Sequence, residues 1–71
     1  MRTVDAMIKI EEAQGELNRV FRFIEREEEK PHEQREALLL GTAKASIRVA
    51  MTSLRQVHEA LGRMPHEQDE Q

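Results

Sequence analysis

The side chains best suited to chemistry in this chain are its three histidines and a surplus of carboxylates. His32 and Glu36 stand four apart, a spacing that sets two metal donors on one face if both are helical. Two donors at a loop edge fall short of the four that hold a structural zinc ion. His58 lies beside an apolar seam, flanked by Leu54 and Leu61, and His66 lies in a polar tail. The histidines therefore read as polar or partly packed groups, and neither a metal nor a cofactor is expected. His58 also places a titratable group near the seam, so association through that surface is expected to weaken in mild acid.

Nucleophilic and acid–base catalysis find little to work with. The chain has no cysteine and no tyrosine, and Ser46 and Ser53 fall in an apolar arc rather than beside a histidine. Glu11, Glu12, Glu16 and the run from Glu25 to Glu29 are spaced as solvated helix faces, with nothing to bury one and raise its pKa. Two helices also form no deep concavity for a substrate. The sequence reads as a protein that is not an enzyme.

The positions that organise these side chains are apolar. Leu40, Ala43, Ile47, Ala50, Leu54, Val57, Leu61 and Met64 recur at steps of three and four, which stacks them on one helix face. Thr3, Ala6, Ile10, Ala13, Leu17, Val20 and Ile24 repeat the pattern before Pro31. Two such stripes separated by a proline predict an all-α antiparallel helical hairpin over residues 1–64, with helix 1 at about 4–28 and helix 2 at about 32–62. Thr3 is the expected N-cap of helix 1, and Asp5 suits the helix dipole in its first turn. The acidic groups from Glu25 to Glu29 oppose the dipole at the other end, which predicts fraying there. Pro31 is the expected first residue of helix 2, and Gly62 and Pro65 its stop signals. Residues 65–71 contain no apolar side chain and are expected to form a disordered polar tail.

Size and composition then bear on partners. A chain of 71 residues without cysteine has a small core, whose net stabilisation rarely exceeds ~3–5 kcal/mol without staples or partners. Helix 2 is apolar or small over most of its circumference: Leu39, Ser46, Ser53 and Ala60 widen the seam on one flank, with Leu38, Thr42, Ala45 and Val49 beyond them. A helix of this kind is normally covered on more than one side. The expected cover is a second copy, giving a homodimeric four-helix bundle whose interface contains Leu38, Leu39, Ala43, Ser46, Ile47, Val49, Ala50, Ser53, Leu54, Val57 and Leu61.

Two surface features remain. Val4 and Ile8 lie roughly opposite the stripe of helix 1, and Phe23 also lies off it; with Arg19, Arg22 and Arg26 as a polar margin they form the candidate surface for a protein target. Lys44, Arg48 and Arg55 form a basic strip on helix 2, the basis of an alternative in which a hairpin dimer binds RNA. A net charge of -3, a pI near 5.6 and only two aromatic residues, both phenylalanine, weigh against nucleic acid.

The function expected is that of a small protein-binding regulator, an inhibitor, anti-activator or adaptor of bacterial or phage type, acting through helix faces. A secretion-type co-chaperone that pairs with a partner helix is the other alternative. No apolar run approaches the ~20 residues of a membrane span, and the amino terminus lacks a signal-peptide core. No membrane association is expected, and a cytoplasmic location is.

Overall fold

The computed structural model describes residues 2–64. Among these the chain forms two α-helices, α1 (Thr3–Glu28) and α2 (Gln34–Gly62), packed against each other. The Cα trace extends 55 Å along its longest axis and only 15 and 13 Å across, the proportions of two helices lying side by side. The predicted tail at 65–71 lies outside the described residues.

The helix ends show where local chemistry differs from the sequence reading. Thr3 is the first helical residue rather than the cap. Arg2 occupies the cap position in an extended conformation and makes no side-chain capping bond. Thr3 is buried instead, and its Oγ1 has no hydrogen-bond partner among the described residues. At the far end α1 stays helical through Glu28 despite the acidic run. Lys30 donates to Glu27 at 2.7 Å, and Lys44 reaches across from α2 to Glu28 at 2.7 Å. Cations drawn to these carboxylates offset their unfavourable position at the negative end of the dipole.

Helix α2 begins at Gln34, three residues after Pro31. Its start is fixed by a capping box: the Glu33 N–H donates to the Glu36 carboxylate at 3.2 Å, and the Glu33 side chain accepts from the Glu36 backbone. This reciprocal pairing satisfies two N–H groups that the first turn leaves open, so the proline need not open the helix. His32 therefore lies outside α2, and its ring donates from Nε2 to the Glu27 carbonyl. That bond ties the connection back onto the end of α1.

The register follows from contacts at three levels. Met7 meets Gly62, His58 meets Glu11 and Phe21 lies under Arg48, pairs whose residue numbers each add to 69. The helices thus run antiparallel without slippage over most of their length. Burial divides the heptad positions into two rows. Ile10, Leu17 and Ile24 on α1, and Leu40, Ile47, Leu54 and Leu61 on α2, are buried or half-buried. The second row, Ala6, Ala13 and Val20 with Ala43, Ala50 and Val57, is smaller and sits at the rim, where both valines are exposed. Each rim row is displaced from its inner row in the same rotational sense. In an antiparallel pair of right-handed helices, such rows fall on the same side of the hairpin.

Candidate functional site: the uncharged side of the hairpin

The inner rows alone make a thin core. Ile24, at 9% exposure, is the only fully buried apolar side chain among the described residues. Large apolar residues stand in the open, including Leu38, Leu39, Val49 and Val57 on α2. Leu39 is 62% and Val49 67% exposed. The accessible surface is 5632 Å² for a chain of 8.3 kDa, whereas a compact monomer of that mass exposes roughly 4,600 Å². The hairpin therefore carries an excess on the order of 1,000 Å² over a closed globule.

This surface has a clear electrostatic character. From the rim positions Ala43, Ala50 and Val57, through Leu39, Ser46 and Ser53, to Thr42, Ala45 and Val49, no side chain of α2 carries charge. The α1 rim residues Ala6, Ala13 and Val20 border the same side. Of the residues that the sequence assigned to a dimer interface, Ile47, Leu54 and Leu61 belong to the row turned toward α1. Leu38, Leu39, Ser46, Val49, Ser53 and Val57 are exposed. Ala43 and Ala50 lie half-buried between the two groups. Small side chains at the rim leave a shallow trough between the helices, which a facing helix can enter closely.

No protein family, curated protein or solved structure matches this chain. The functional argument therefore rests on the geometry of its faces.

The opposite side of the hairpin is charged. Lys44 and Arg48 lie over the Phe21 ring at 5.7 and 5.2 Å from its centroid, close enough for cation–π attraction. Arg22 and Arg48, from different helices, border one open groove with Asn18, Glu25 and Met51. The structure thus brings residues of the two basic strips together around Phe21. A neighbouring groove sets Arg22, Arg26 and Lys44 among Glu25, Glu28 and Glu29. Interleaved carboxylates leave no continuous positive track for a phosphate backbone. Arg55 has no ion-pair partner among the described residues.

The histidines are placed by hydrogen bonds. His58 shares a 2.8 Å bond from Nε2 with Glu11 across the helices, and His32 is held by the Glu27 carbonyl with its Nδ1 3.9 Å from Glu36. No group of three or more potential metal ligands occurs among the described residues. Glu27 titrates below its ordinary value of 4.5, chiefly because Lys30 hydrogen-bonds its carboxylate, with nearby positive charge adding to the effect. Among the described residues, no helix is long and apolar enough to cross a membrane.

The sequence did not single out Val20 as a surface residue, because it occupies a seam position. The available signal was the alternation of large and small side chains within the heptads, which separates an inner row from a rim row.

Proposed function

We propose that this chain is a non-enzymatic, protein-binding regulator that works as a homodimer, two hairpins completing a four-helix bundle through their uncharged sides. The observation that carries the reading is the exposed, uncharged surface of α2 together with the α1 rim. Its area argues for a second copy: the excess on the order of 1,000 Å² per hairpin is close to the ~800 Å² that each partner contributes to a standard interface. Its chemistry agrees, since an uncharged face meets its own copy without placing like charges together. Apolar seam rows on two hairpins, large inside and small at the rim, supply the interdigitating layers that a bundle core needs.

A dimer built in this way keeps the outer side of α1 free for a target. Val4, Ile8, Phe23 and the arginines Arg19, Arg22 and Arg26 are all exposed there. Binding of this kind inhibits or redirects a target by occupying a surface the target needs, using helix faces and no bond chemistry.

Light scattering behind size exclusion, read at protein and nucleic-acid wavelengths, tests the reading. A folded dimer free of nucleic acid is the expected result. A stable folded monomer overturns the dimer, a poorly folded chain that orders only with a different protein points to the co-chaperone, and co-purifying RNA returns attention to Lys44, Arg48 and Arg55.

A further inference from the structure

The outer side of α1 carries a line of residues that neither the hairpin nor the bundle uses. Val4, Ile8, Gly15, Arg22 and Arg26 are separated by steps of four, seven, seven and four, so they follow one line along the helix. The four with side chains beyond hydrogen are exposed. Along this line the chemistry changes from apolar, through a bare backbone at Gly15, to two guanidinium groups.

Two details show that the fold does not account for this line. Arg2, Lys9 and Arg19 each pair with a carboxylate of α1, namely Asp5, Glu12 and Glu16. Arg22 and Arg26 have no ion-pair partner among the described residues. Gly15 weakens a helix interior, yet a Cβ there would find nothing within 4 Å, so packing inside the hairpin does not require glycine. Its position halfway along the line leaves room for another backbone to approach.

A second copy of α1 does not fit. Parallel pairing would set Arg22 and Arg26 against themselves, and antiparallel pairing would set Val4 and Ile8 against the two arginines. The complementary surface presents carboxylates to Arg22 and Arg26 and apolar side chains to Val4 and Ile8. Carboxylates are favoured at a helix N-terminus by its dipole, which directs the acidic end of the partner to the C-terminal half of α1. Resting on the reading of the hairpin as a protein-binding regulator, we propose that the outer line of α1 docks an antiparallel, acidic amphipathic helix of another protein. Val4 to Arg26 spans roughly 33 Å, about six helical turns.

A synthetic, fluorescein-labelled, alanine-rich helical peptide of about six turns serves as the probe. It carries two glutamates in its first half and two leucines in its second, at the spacing of Arg26, Arg22, Ile8 and Val4. Fluorescence anisotropy is expected to show binding that weakens about tenfold or more in the double variant Arg22→Glu, Arg26→Glu, the scale of reversing two interface charges. A peptide with lysines in place of glutamates is expected to prefer that variant over the natural chain. Gly15→Leu is expected to reduce binding while helix content and thermal stability hold or rise, a result that a structural role for Gly15 would not give. Absence of binding to the natural chain, binding indifferent to charge reversal, or no preference of the lysine peptide overturns the proposal. Light scattering on the same samples reports the dimer independently, so failure of peptide docking is distinct from failure of the bundle.

Discussion

Replacing Leu39 with alanine separates a lone hairpin from a bundle, because the two assign this side chain opposite surroundings. Leu39 is 62% exposed in the hairpin, and truncating a side chain on an open surface changes stability by about 0.5 kcal/mol or less. In the proposed dimer the remaining surface is covered. Full burial of a leucine is worth about 1.5–3 kcal/mol, so covering roughly six-tenths of it contributes about 1–2 kcal/mol per copy. Two-fold symmetry applies the loss twice, and association weakens by about 2–4 kcal/mol, roughly 30- to 900-fold in Kd. Sedimentation equilibrium over a range of concentrations measures this change directly. Thermal unfolding adds a second readout, since the Tm of a dimer rises with protein concentration and that of a monomer does not. A Tm independent of concentration, or a dimer constant that Leu39→Ala leaves within threefold, refutes the placement of this face in an interface.

Other perturbations test individual parts of the hairpin. Thr3→Val removes a buried hydroxyl without a partner among the described residues and keeps the shape of the side chain; a gain of about 1 kcal/mol in unfolding free energy is expected, and a loss would show that the hydroxyl has a partner in solution. Lys44 and Glu28, with side chains 25% and 31% exposed, pair at 2.7 Å, and a double-mutant cycle to alanine is expected to give a coupling of about 0.2–1 kcal/mol; a coupling of zero would assign the effect of Lys44 to its stacking on Phe21. The depressed pKa of Glu27 contributes stability that is present above 4.5 and lost as pH falls through the lowered value. Carboxyl titration by NMR should therefore show Glu27 moving up toward 4.5 in Lys30→Ala, and an unchanged midpoint would remove Lys30 as the main cause.

The two helices were legible because a heptad stripe is long, regular and nearly free of competing signals. Proline at position 31 and the seam residues on each side suffice to place a helical pair with a short connection. The caps were less legible. Thr3 and Pro31 have the right residue types for a cap and a first turn, but the reciprocal bonds of Glu33 and Glu36 determine where α2 starts, and helix α1 begins one residue before the position that Thr3 implied. Such bonds depend on local backbone geometry that residue type alone leaves open. The candidate interface was legible as a set of small and apolar residues on α2. Its division was not, because Ile47 and Val57 are equivalent in a periodic pattern and differ only once register turns one toward α1 and the other to the rim. The pairing of Arg22 with Arg48 around Phe21 was likewise hidden, since it joins residues from two helices.

The alternation of large and small seam residues has a further consequence for how association and folding are linked. Ile10, Leu17 and Ile24 fill the space between α1 and α2, while alanine and valine at the rim leave that space unfinished. A hairpin with large residues in both rows would bury more surface alone but would present a ridge where a second hairpin must enter. A hairpin with small residues in both rows would let partners approach but lack an inner core. The observed division gives each row a separate task, so the monomer retains a defined register while much of its apolar stabilisation remains available for assembly. The docking line on α1 lies on neither row. A charge change at Arg22 or Arg26 should therefore act on a target without disturbing self-association, whereas a polar substitution at Val57 should act first on the dimer and only through it on the target.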